Sequence, residues 1–168
     1  MTRYLTLIVA AATYLCFPAF APAAFAHDGV HIVDPYARTT GGVGGNAAVF
    51  LVVENHQIAD DQLLSVTSDA AKLVELHTHT EDANGVMTMG AVPEGFTIPA
   101  NGEHALARGG DHVMMMGLTH ELVDGDIITL TLIFKTAGAV TVEAVVDNAR
   151  KEGMAMDHSA HGAAKVSP

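Results

Sequence analysis

The sequence predicts an all-β domain, an antiparallel sandwich or barrel. Three observations predict it. The chain is 49% hydrophobic and 16% charged, a globular composition, and Val, Ile, Thr and Gly, which favour strands and turns, are frequent. Short apolar runs recur at roughly eight- to twelve-residue intervals, with Gly, Asn, Asp or Pro between them. No stretch carries the 3.6-residue periodicity of a long amphipathic helix. At 168 residues there is room for one domain with a core, and not comfortably for two.

Taken in order, the first residues fall outside the domain. Arg3 is followed by an apolar stretch from Tyr4 to Phe17, and Ala24-Phe25-Ala26 is an A-x-A cleavage signal. Residues 1–26 therefore read as a secretory signal peptide. Pro18 and Pro22 break the run and no positive stop-transfer segment follows, which disfavours a membrane anchor. Thr13-Tyr14-Leu15 before Cys16 lack the small residues that lipoprotein processing wants. No second apolar run is long enough to span a bilayer. The expected mature protein is exported, soluble and monomeric. It has no cysteine, because Cys16 is the only one.

The expected domain covers 27–147. Its strands are Ala47–Glu54, Leu63–Ser68, Lys72–Thr80, Val86–Val92, Phe96–Ile98, His112–Met116, Ile127–Phe134 and Val140–Val146. The turns between them include Asn84-Gly85, Asn101-Gly102, Gly109-Gly110 and Asp124-Gly125. Residues 148–168 read as a flexible tail rich in His, Met, Gly and Ala. The formal net charge is −11, and losing Arg3 makes the chain more acidic still. With no basic run to offset it, this argues against nucleic acid and anionic membranes.

The chemistry lies in the methionines. After Met1 they occur only as Met87/Met89, Met114/Met115/Met116 and Met154/Met156, each cluster with histidine near it. Core-filling methionine would scatter through the strands. Residues i and i+2 share a strand face. His77 and His79 therefore share one face, Met87 and Met89 another, and His112, Met114 and Met116 a third. A hairpin at Asn84-Gly85 brings Met87 or Met89 beside the His77 strand. Neutral thioether sulfur is soft and imidazole borderline, so a two-Met, two-His set selects Cu(I) over Zn²⁺, Ca²⁺ or Mg²⁺. A thiolate-based blue-copper centre and a thiol–disulfide oxidoreductase both need cysteine that the mature chain lacks. No G-x-S-x-G, phosphate loop or H-E-x-x-H is present. A copper mono-oxygenase using His27 would want a broad aromatic surface, but aromatics are 5% and Trp is absent.

The segments "IVDPYAR", "GGNAAVFLVVENH" and "VELHTH…GVMTMGAVPEGFTIPANGEHALARGGDHVMMMGL…L.DGD.ITLTLIF" resemble the PCuAC-type periplasmic copper chaperones over about residues 30–146. The resemblance implies a cupredoxin-like antiparallel β-sandwich with a Cu(I) site near one exposed edge. Carried over position by position, the ligands fall on His77, Met89, His112 and Met114. Thr78 stands where the family often has methionine, and the spacer before His112 is one residue longer than usual. The resemblance also implies delivery of copper to the CuA centre in cytochrome c oxidase subunit II, alongside a Sco-type thiol protein. The chain is then a carrier and not an enzyme. Periplasmic storage or resistance without a dedicated client is the alternative.

Further positions complete the reading. Cleavage would leave His27 at the N-terminus, where amine and imidazole chelate Cu(II) with His31 nearby. Met154, Met156, His158 and His161 form a second set in the tail, for Cu(II) or Cu(I). His79 is a neighbour of the main site. Glu75 and Asp111 are expected to orient imidazoles. Met115 and Met116 are read as packing, and His56, His104 and His120 as surface histidines.

Overall fold

The computed structural model describes residues 29–81 and 84–151. Ten strands make up the body: β1 (Val30–Thr40), β2 (Asn46–Asn55), β3 (Asp61–Thr67), β4 (Ala71–Glu81), β5 (Met87–Ala91), β6 (Phe96–Ile98), β7 (Gly102–Leu106), β8 (His112–Leu118), β9 (Ile127–Phe134) and β10 (Gly138–Val146). The all-β expectation holds, and the expected strands agree with β2–β6 and β8–β10 to within a few residues. Two strands were not foreseen. The β1 sequence carries Pro35 and charged residues, and β7, Gly-Glu-His-Ala-Leu, is short and polar.

The hydrogen-bonded order is β5-β4-β8-β2-β1-β10-β9-β3-β6, with β7 on β2. The first part of β2 pairs with β8 and the second part with β7. β1 runs antiparallel to β2 and then parallel to β10 at Tyr36 and Ala37, the one departure from an antiparallel scheme among the described residues. The register of β1 shifts between Val33 and Tyr36, where Asp34 has φ 54° before Pro35. A bulge of this kind bends a strand and increases its twist. The strand path thus turns back on itself. Leu76, Val113 and Met115 from one half meet Leu63, Leu130, Leu132 and Phe134 from the other in one core.

The polar closures are well defined. Asp61 accepts hydrogen bonds from the backbone N–H of Gln62, Thr136 and Ala137 at 2.7–2.9 Å, tying β3 to the β9–β10 turn. Asn55 donates to the carbonyls of Ala59 and Ile98 and accepts from the N–H of Gln57. Gly95, at φ +74°, sits where a Cβ would lie 1.9 Å from the Leu63 carbonyl oxygen, so no other residue fits there undisturbed. Beyond the boundary expected at residue 147, Asn148 accepts from the Thr39 N–H and donates its own N–H to Asp124, and Arg150 pairs with Asp34. The folded body thus runs on through Arg150.

Candidate metal centre

Among the described residues, four polar or charged ones are buried: Asn55, Asp61, His77 and His112. The first two have their hydrogen bonds. The two histidines belong to a different arrangement.

β4 and β8 pair with His77 directly opposite His112 and Glu75 opposite Met114. Cross-strand partners share a face, so Glu75, His77, His79, His112 and Met114 all lie on one side of the β4–β8 pair. The alternate residues Leu76, Val113 and Met115 go into the core. β5 adds Met89 opposite His79 and Ala91 opposite His77. β5 is an edge strand and exposed throughout, and Met89 keeps 47% of its surface open. The result is an open cleft of ≈ 290 Å³ with His79, Met89, His112 and Met114 in its lining. His77 is not in that lining. It is 8% exposed, with its ring 6.0 Å from that of His112. Met87 and Met116 lie outside the lining, and Met115 is a core residue as expected.

Hydrogen bonding shows which nitrogen of each ring carries a proton. A carbonyl oxygen only accepts, so His112 Nδ1–H donates to the Gly110 carbonyl at 2.9 Å. The same carbonyl accepts from His79 Nδ1 at 3.2 Å, and the two rings stack with centroids 5.0 Å apart. In neutral His112 the lone pair is therefore on Nε2, which lies 3.1 Å from Met89 Sδ. A thioether has no proton to give, so two acceptors face each other. Protonating Nε2 would relieve this but is resisted. Burial pushes the His112 pKa down and His79 and His77 add to the effect, against the opposing pull of the Gly110 carbonyl and Asp111.

His77 shows the reverse tautomer. Its Nε2–H donates to Glu75 Oε2 at 3.2 Å, so in the neutral ring the lone pair is on Nδ1. That atom is buried with no hydrogen-bond partner. Glu75 thus orients an imidazole as expected. Asp111 does not orient a site histidine, because it pairs at 2.9 Å with His104. His104 is half-buried and stacks on Phe96, so it is not the surface histidine expected, whereas His56 and His120 are exposed. The Gly110 carbonyl performs the role given to Asp111. Only its place in the Gly109-Gly110 turn hinted at it.

Among the described residues, no three of His, Cys, Asp and Glu are placed to share a metal ion. A metal at this cleft must therefore use the methionine sulfurs. His31 is exposed, opposite Glu54, with its ring 5.0 Å from that of His56. His27, Met154, Met156, His158 and His161 lie outside the described residues, as does Cys16.

The sequence profile of a family described as "Putative lipoprotein LpqE-like" matches residues 30–146. The chain belongs to the LpqE-like family. The LpqE-like chain is 37% identical over 107 residues to "Putative lipoprotein Lxx21020" of Leifsonia xyli subsp. xyli, covering 64% of its own length and 63% of that relative's. It is 32% identical over 124 residues to protein RP573 of Rickettsia prowazekii, an alignment that covers 71% of the chain and 68% of RP573. In three dimensions it resembles the Cu(I) form of DR1885 from Deinococcus radiodurans, at 26% identity and TM-score 0.54, over 73% of this chain and 82% of that one. The copper-bound PCuAC domain of PmoF2 superposes with TM-score 0.57 at 24% identity, covering 70% and 92%. These matches establish the PCuAC-type, cupredoxin-like fold that the sequence motif implied. Among the described residues no helix is long and apolar enough to cross a membrane.

Proposed function

We propose that this LpqE-like protein is an exported copper carrier that holds Cu(I) between Met89, His112 and Met114, with His77 completing the set. One observation carries the reading. His112 Nε2 and Met89 Sδ face each other at 3.1 Å as two acceptors without a proton between them. A soft cation satisfies both, and a buried, neutral imidazole is the form that binds metal. His77 Nδ1 is a second lone pair left without a partner, and Glu75 orients its ring much as second-shell carboxylates orient metal-bound histidine. The copper-bound neighbours support the choice of metal.

The ligands are neutral and one of them sits on an exposed edge strand, so a partner's thiolates can approach and take the ion by ligand exchange. This is transport, not catalysis. By the same reading the domain works in the periplasm after cleavage of residues 1–26. Its client is the CuA centre of cytochrome c oxidase subunit II, loaded together with a Sco-type thiol protein. The termini, His27 with His31 and the set Met154, Met156, His158 and His161, gather further copper, including Cu(II).

Titrating the purified protein with Cu(I) against a chromogenic chelator tests the central point. Wild type should bind one Cu(I) tightly at the body site, and Met89→Ala/Met114→Ala should lose it. A double variant that binds as tightly as wild type would place the metal elsewhere. A deletion strain that assembles CuA normally at limiting copper would rule out the client.

A further inference from the structure

A second pair of imidazoles lies away from the cleft. His31 on β1 stands directly opposite Glu54 on β2, and Glu54 stands opposite Glu103 on β7. Cross-strand partners share a face, so one histidine and two carboxylates form a row on the outer surface of three strands. The neighbouring Val53 and Asn55 point the other way and are buried. His56 follows at the end of β2. Its Nε2 lies 3.3 Å from Glu54 Oε2, and its ring meets that of His31 edge-on with centroids 5.0 Å apart. Both histidines are exposed. The backbone beneath them is held in place. The His56 N–H donates to the Gly29 carbonyl at 2.6 Å, and the Asn101 N–H to the Gln57 carbonyl at 2.9 Å. Asn55, between Glu54 and His56, donates to the carbonyls of Ala59 and Ile98 and accepts from the Gln57 N–H.

We infer that His31 and His56 form a surface site for a borderline divalent cation, Cu(II) foremost. Two imidazoles that share one ion, at metal–nitrogen distances of about 2.0–2.1 Å, hold their ring centroids roughly 4.5–5 Å apart. The two rings already stand at that separation. Imidazole suits copper, nickel and zinc, and the first-row order puts Cu(II) ahead of the other two. The pair contains no thioether, the donor that favours Cu(I) in the cleft. With Nε2–H of neutral His56 donating to Glu54, the lone pair on Nδ1 is the one offered to the ion. A carboxylate in that position orients a metal-bound imidazole. Glu54 and Glu103 also make the row anionic, which favours a cation there. Among the described residues no third His, Cys, Asp or Glu is placed to join the pair, so water completes the coordination. The site is separate from the cleft. Ala48 lines the cleft, and Glu54 is six residues further along β2, about 20 Å at roughly 3.3 Å per residue. The fold thus gives His31 a partner without recourse to His27. Nothing in this pairing rests on the copper-carrier reading of the cleft.

The purified full chain is titrated with Cu(II) and followed by amide NMR, in which the paramagnetic ion broadens nearby resonances. The amides of Val30, Glu54, Gln57 and Glu103 should broaden together as the ion is added. His31→Gln and His56→Gln should each raise the Cu(II) needed to broaden them at least tenfold. His120→Gln, which removes an exposed histidine beyond β8, should leave their profile unchanged. Resonances that stay sharp in excess Cu(II) overturn the proposal. So does a loss on His31→Gln that His56→Gln does not share, which would assign His31 to the N-terminus with His27. An effect of His120→Gln as large as that of His56→Gln overturns it too, since any surface imidazole would then serve. The broadening is read first on wild type and does not depend on how the variants fold. Failure here leaves the Cu(I) titration of the cleft untouched, and failure of that titration leaves this broadening untouched.

Discussion

His112 presents an unprotonated ring nitrogen to the cleft. The Gly110 carbonyl takes its Nδ1 proton, burial keeps the ring neutral and Nε2 is left against a sulfur. His77 and His79 divide the remaining roles. Both share the face of β4, but His77 has a buried, unpartnered Nδ1 while His79 stacks on His112 and shares the Gly110 carbonyl. His77→Ala should therefore cost more Cu(I) affinity than His79→Ala in a chelator competition, and the reverse order would exchange their roles. Glu75→Ala removes the acceptor that fixes the His77 ring, and should weaken Cu(I) about 10- to 100-fold. Equal affinity in wild type and Glu75→Ala would show that the ring needs no such support. The His/Met faces were legible in the sequence because side-chain direction alternates with every strand residue. The pairing of Asp111 with His104 was not, because it joins the turn before β8 to a strand, β7, that is too short and polar to stand out.

At the scale of elements, the site depends on β5 and β8 lying on either side of β4. β5 forms no part of the core; it places Met89 in the lining of the cleft. A short turn joins β5 to β6. Gly95 sits in that turn, at φ +74°, against the Leu63 carbonyl. Gly95→Ala forces backbone apart in addition to adopting a disfavoured φ, and should destabilise the fold by roughly 2–4 kcal/mol in denaturant unfolding. A loss below about 0.5 kcal/mol would mean that β3 yields easily there. Such a variant tests the support of the site without touching a proposed ligand. β1 escaped the sequence because Pro35 interrupts it, and Pro is tolerated at a bulge, which is where the register shifts.

For the whole molecule, acid stability turns on Asp61. Burial alone would raise its pKa, but hydrogen bonds from the backbone of Gln62, Thr136 and Ala137 prevail and hold it below the usual carboxylate value. A lowered folded pKa contributes stability above the unfolded value of about 3.9, and that contribution is lost as pH falls through the folded pKa. Asp61→Asn should therefore be less stable than wild type by at least about 1 kcal/mol at pH 7. The gap should narrow as pH drops below about 4. A gap independent of pH would assign the loss to packing. Removing residues 152–168 should leave the Cu(I) site of the body intact while lowering the Cu(II) count. Unchanged stoichiometry for both oxidation states would remove the tail from the copper pathway.

The sequence by itself determined the strand class, the faces on which His and Met alternate, and the softness of the metal those donors prefer. All three follow from local rules: a period of two, turn residues and ligand polarisability. The tertiary structure decided which faces meet. The pairing of His77 with His112 and of His79 with Met89 is a long-range register, set by how β4, β5 and β8 pack rather than by any one segment. It also decided the tautomers, through a backbone carbonyl that no side-chain pattern encodes.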